Sequence, residues 1–160
     1  MKWVLVCFFL ISCSAREPEP VTRVSLSTAN TIVGFHERTN RYTLQEILGV
    51  DPVKYEWCAA FVNFMLTQHS IPGSDSVSDT PLVARSFLQW GHAVDVPKRG
   101  DVVVLARGRR GWQGHVGFYH STVVENGVEY YMLLGGNQDD SVSYAKFPAS
   151  AVVGIRRWEL

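Results

Sequence analysis

The chain has 160 residues, 46% of them hydrophobic, and its 15 basic and 15 acidic side chains give a formal net charge of zero. That length holds one globular domain with a substantial core and leaves little for a second. The balanced charge, with no basic or acidic tail, argues against a nucleic-acid binder, which usually carries a basic patch.

The N-terminal stretch differs from the rest. Met1-Lys2 is followed by "WVLVCFFLI", nine apolar residues, and then by "SCSA". A membrane-spanning helix needs ~20 apolar residues, so this run is too short for a stable span. A positive start, an apolar centre and small residues at the end read as an export signal over residues 1–15. Leu10-Ile11-Ser12-Cys13 resembles a bacterial lipobox, in which Cys13 is lipidated and becomes the mature N-terminus. Cleavage after Ala15 without a lipid is the alternative. Either route predicts an exported protein of the periplasm or cell envelope, with membrane contact through the lipid where Cys13 is modified.

Residues 16–26 begin "REPEPVTRV", with alternating prolines and several charges, and read as an extended tether. The domain proper is expected over 27–160. Ser27 or Thr28 is a cap for a helix through about His36. "TLQE" at 43–46 forms a capping box, with Gly49 as the stop. From about Trp57 to His69 the apolar residues Cys58, Phe61, Val62, Met65 and Leu66 recur at helical spacing. Thr80-Pro81 opens a further helix through about Gly91. The second half turns to strands: "VVVLA" at 102–106, then "HVGFYHSTVV" and "VEYYMLL" around an "ENG" hairpin, then "SVSYAKF" and "AVVGIRRW". Helices followed by antiparallel strands predict an α+β fold, with the helices packed on one face of the sheet.

Three cysteines occur, and Cys7 and Cys13 lie in the export signal. Cys58 is then alone in the folded domain, either as a small buried hydrophobe or as a group kept for its reactivity. It stands in the first turn of its helix, where free N–H groups and the helix dipole stabilise a thiolate and lower its pKa. The Cys58 N–H would also serve an oxyanion. A thiolate nucleophile needs a base. Of the five histidines, His36, His69 and His92 sit at helix ends or edges, whereas His115 follows Gly114 at the mouth of a strand. His120, five residues on, turns to the opposite face.

The hairpin sets a partner for His115. A three-residue "ENG" loop pairs Val124 with Val128, which puts Gly117 opposite Gly135 and His115 opposite Asn137, on one side of the sheet. Asn137 would then hold the ring in one tautomer, and the paired glycines would leave a bare strip for the Cys58 helix. A two-residue Asn126-Gly127 turn pairs His115 with Gln138 instead. The first register is preferred because it matches glycine with glycine.

"WCAAFVNF", "PKRGDVVVL", "GWQGHVGFY" and "GGNQ", in that order, closely resemble papain-like cell-wall cysteine hydrolases of the NlpC and CHAP type, in particular a small bacterial and phage branch. The resemblance extends over roughly residues 28 to 158. It implies that Cys58 is the nucleophile, His115 the general base and Asn137 the orienting third residue. Asp139 and Asp140 stand close by as acidic alternatives. It also implies peptidoglycan as substrate, cut at a stem-peptide bond or at the glycan–peptide amide through a thioester. Trp57, Trp112 and Gln138 are then candidates for binding substrate, and Arg109 and Arg110 for the cleft wall. Cysteine preceding histidine excludes the lecithin:retinol acyltransferase-like branch, where the order is reversed. Without HExxH, CxxC or a complete EF-hand loop, no metal and no cofactor are expected. The protein is expected to be a monomer. The competing reading is a non-catalytic, lipid-anchored cell-wall binding module in which Cys58 serves only as core packing. Acyl transfer to an amine is a third use of the same triad.

Overall fold

The computed structural model describes residues 26–159. The expected export signal, the lipidation of Cys13 and most of the tether lie outside these residues. Leu26, assigned to the tether, is buried and packs into the core.

Six strands form one antiparallel sheet: β1 (His92–Ala93), β2 (Val102–Ala106), β3 (Gly114–Glu125), β4 (Val128–Gln138), β5 (Ser141–Pro148) and β6 (Val152–Arg157), in the order β1-β6-β2-β3-β4-β5. The unbroken apolar run of β2 suits a central strand covered on both faces. Val102 and Val104 join Val116, Phe118, Leu134 and Val142 in the larger cluster, beneath the helices. Val103 and Leu105 face the other way, with Tyr119, Leu133 and Ile155. The two-residue β1, pairing with β6, was not foreseen.

Two α-helices pack on the first face, α1 (Arg41–Leu48) and α2 (Cys58–Thr67). Every position of the expected α2 stripe is buried, and so are Ala59 and Ala60. Phe61 meets the Phe118 ring edge-on at 6.5 Å. The close approach of α2 depends on Gly136, where a Cβ would fall 2.5 Å from the Trp57 ring and 2.6 Å from Phe61 Cβ. The bare strip is therefore Gly136, on the helix side. Gly135 faces the opposite way, towards Gln138 and His115.

Three helical expectations need correction. The segment after Ser27 makes only a 3-10 turn, Thr28–Thr31, because Gly34 N–H, Phe35 and Glu37 N–H then bond to the β5 end of the chain at Val142 and Asp140. α1 starts two residues before the capping box, after Asn40, so Thr43 lies inside it; Gly49 ends it in the left-handed conformation, as read. Between Thr80 and Gly91 only a 3-10 segment forms, Ala84–Gln89, preceded by extended Val83. Asn63 of α2 bonds the Pro81 carbonyl and the Ser74 backbone, which ties this loop to the helix.

Asp101, the last residue of "PKRGD", anchors the start of β2. Its carboxylate accepts the Lys98 N–H at 2.6 Å and both Arg157 donors, Nε at 2.8 Å and an Nη at 2.7 Å. The Asp101 side chain is almost wholly buried. Arg157→Met leaves that charge unpaired and is expected to destabilise the fold by about 3–5 kcal/mol, measured by urea denaturation. A cost below ~1 kcal/mol would show that solvent, not Arg157, satisfies Asp101.

Candidate active site

The β3–β4 hairpin departs from the preferred register. Asn126 and Gly127 both have positive φ, 50° and 77°, the signature of a two-residue turn, and Glu125 pairs with Val128. A bulge at His120 then shifts the ladder by one, so that Phe118 pairs with Leu134. That step brings Gly117 back towards Gly135, as the glycine argument required. A second irregularity follows between Gly135 and Gln138, with Asn137 at φ 57°. An inserted residue sends the side chains beyond it to the opposite face.

The consequence is a change of partner. His115 Nε2 lies 3.0 Å from Gln138 Oε1, and Asn137 turns away to donate to Glu56 Oε2 at 2.7 Å. The expected Asn137–His115 contact is not formed. Gln138, assigned to substrate, is 5% exposed and committed to the histidine. Its Nε2 donates to the Ser143 carbonyl at 2.5 Å and to the Leu133 carbonyl at 3.4 Å. Carbonyls only accept, so the amide oxygen must be the end facing His115. His115 Nε2 therefore carries the proton, and Nδ1 is left as the basic nitrogen. Nδ1 is buried and has no hydrogen-bond partner. The ring also packs against Phe147, centroids 5.1 Å apart.

Cys58 is the first residue of α2, as expected, and is 4% exposed. Helix geometry leaves its N–H without an intrahelical acceptor, the first α2 bond being Phe61 N–H to the Trp57 carbonyl. The expected lowering of its pKa is overturned. Burial pushes the thiol up, and the N–H groups of Val116 and Ala59 oppose that only in part; Glu56 adds to the rise and Arg107 to the fall. Burial likewise drives His115 down from 6.5 to about 4, partly offset by the bond to Gln138 and reinforced by Arg107. The free protein thus holds a neutral thiol and a neutral imidazole.

The sulfur lies against the N–H of Val116, next in the chain to His115, but no hydrogen bond joins Cys58 to the imidazole. Cys58 opens into a groove of about 440 Å³ with Glu56, Leu82, Arg107 and Trp112, while His115 and Gln138 open into another of about 350 Å³. Trp112, 59% exposed, stands in the cysteine groove as the sequence reading proposed. Trp57 does not: it is 0% exposed, with its indole N–H 3.3 Å from Glu37 Oε2 beneath Gly136, so it supports the site from inside the core. Arg109 and Arg110 line neither groove. Arg107 and Glu56 do, and the reading of single motifs passed over both, because nothing in their spacing separates them from solvated charges. Among the described residues no cluster of three His, Cys, Asp or Glu side chains is arranged to hold a metal ion.

A cysteine at the start of a helix, a histidine on the adjoining strand and an amide behind it, all on an α+β scaffold, define the class of papain-like cysteine hydrolases. The CHAP domain model matches residues 50–137, more than half of the chain, and the protein belongs to that family. CHAP domains are generally cysteine or amidase hydrolases acting on the peptidoglycan of the cell wall. The match takes in Cys58 and His115 and ends one residue before Gln138. No curated protein and no solved structure matches the chain.

A buried neutral His115 links the site to stability. Its pKa is about 4 folded and about 6.5 unfolded, so between these values the unfolded chain binds more protons and stability is lost as the pH falls. The loss should begin near pH 6.5 and be complete near pH 4, amounting to on the order of 3 kcal/mol. His115→Gln should flatten that segment of the stability profile, read by chemical denaturation at stepped pH. An unchanged slope would mean that other groups carry it.

Proposed function

We propose that the protein is a cysteine amidohydrolase that cleaves an amide bond of peptidoglycan, either within the stem peptide or between glycan and peptide. Cys58 acts as nucleophile, His115 as general base and acid, and Gln138, in place of Asn137, as orienting residue. The observation that carries the reading is the His115–Gln138 pair, whose amide orientation leaves Nδ1 as a free base, on the strand against which the Cys58 sulfur rests.

With both groups neutral at rest, His115 Nδ1 takes the thiol proton as Cys58 Sγ attacks the carbonyl carbon, once substrate closes the two to hydrogen-bond distance. The oxyanion is held by the free Cys58 N–H at the start of α2. The imidazolium then protonates the leaving amine and a thioester remains. A water molecule, deprotonated by His115, attacks the thioester to release the carboxylic acid and restore the thiol. We further propose that the chain acts outside the cytoplasm, exported by residues 1–15 and held to a membrane by a lipid on Cys13; the mass of a diacylglyceryl adduct on Cys13 tests this.

The burial of Cys58 favours one rival, a cell-wall binding module without catalysis. Purified sacculi incubated with wild type and Cys58→Ala, with fragments identified by mass spectrometry, separate the two. Release by wild type alone is the expected result and names the bond. Silence from both folded proteins under reducing conditions favours the binding module, and equal release by both excludes the cysteine chemistry. On the same assay Gln138→Ala should lose on the order of a hundredfold or more in kcat, and Asn137→Ala far less. The reverse ranking would restore Asn137 as the orienting residue.

A further inference from the structure

Arg107 lines both grooves, the one that holds Cys58 and the one that holds His115. We propose that Arg107 is a specificity-determining residue whose guanidinium binds a free carboxylate of the peptide substrate beside the scissile amide. The inference rests on the hydrolase reading above and names the substrate class of the same site: anionic peptides over their amidated forms.

Arg107 has no hydrogen bond or ion pair among the described residues, although its charge reaches both Cys58 and His115. The other cation of the His115 groove, Lys146, is engaged with Glu125. A guanidinium is planar, permanently charged and shaped for two parallel bonds to a carboxylate. The groove on the His115 side also holds the acid Asp139, beside Leu105 and Phe147, and the Cys58 groove holds Glu56, which accepts from Asn137. Among the described residues Arg107 is thus the unpaired cation that lines these two grooves.

The base from which Arg107 extends is held firmly. Gly108 has φ +71°, and a Cβ there would fall 2.3 Å from Gln113 Oε1. That oxygen accepts the Arg109 and Arg110 N–H groups at 2.9 Å each, and Arg85 Nε donates to the Gln113 carbonyl at 2.9 Å. A loop closed in this way needs little further ordering when a ligand binds. Arg109 and Arg110 contribute backbone to that closure, and their side chains line neither groove.

Binding is measured by calorimetry on full-length Cys58→Ala and Cys58→Ala/Arg107→Gln, using soluble disaccharide-peptide fragments of peptidoglycan with their carboxylates free or converted to amides. Cys58→Ala should bind the free-acid fragments about tenfold to a hundredfold more tightly than the amides. Arg107→Gln should abolish that preference without changing Tm, and Arg107→Lys should restore part of it. Equal affinity of Cys58→Ala for both forms, no binding of either, or a preference that survives Arg107→Gln would each overturn the proposal. A purely electrostatic effect on the thiol would instead appear in catalytically intact Arg107→Gln as an equal loss of kcat on both forms with KM unchanged, and that also overturns it. Failure of the hydrolase reading is seen separately, as absence of cleavage by wild type.

Discussion

The geometry of the site depends on the carboxamide of Gln138. Its nitrogen is committed to the carbonyls of Ser143 and Leu133, so the oxygen has one direction left, towards His115. Everything about the imidazole follows from that commitment: which nitrogen holds the proton, which one is basic, and which way the ring is turned. Two backbone features make it possible. The irregularity after Gly135, with Asn137 in the left-handed region, brings Gln138 to the histidine's face. At Gly135 itself a Cβ would fall 2.7 Å from Gln138 Oε1, so a side chain there would break the pair.

The opposite face of the same short segment governs the nucleophile. Gly136 admits Trp57 and Phe61, which lets α2 press onto the sheet and buries Cys58 against Val116. Close packing and thiol activation pull in opposite directions here. Burial favours the neutral sulfur, whereas the free N–H groups of the helix start and the charge of Arg107 favour the anion. Burial wins in the free protein, which leaves the base to remove the proton during the reaction. The adjoining residues 135–138 thus serve both halves of the chemistry, one face holding the histidine and the other seating the cysteine's helix.

The elements that one dominant signal specifies were legible in the sequence. The apolar run of β2, the stripe of α2 with Cys58 at its head, the Gly49 stop and the existence and order of β3 to β6 all match the structure. Features decided by tertiary competition were not. Residues 32–37 follow a capping residue but bond along the start of β5, and residues 80–91 are drawn into loop geometry through Asn63. The hairpin is the most instructive case. Gly117 and Gly135 argued for one register and Asn126-Gly127 for another, and the structure satisfies both by placing a bulge at His120 between them. Bulges have no reliable local signature, so the exchange of Asn137 for Gln138 beyond the second irregularity lay out of reach of counting. Trp57 was misplaced for a related reason: adjacency to a reactive residue in sequence says nothing of which side of a helix faces solvent.

The loop from Gly108 to Gln113 is closed through the Gln113 side chain, is tied to the 3-10 segment at Arg85, and takes no part in the β2–β3 pairing. Such a loop is coupled to the scaffold at its Gln113 end. Its exposed Trp112 and the arginines beside it are free to vary among descendants of this chain at little cost to folding, and the neighbouring strand ends keep the reactive groups constant. Diversification of wall preference can therefore proceed in one short stretch, with the chemistry inherited unchanged.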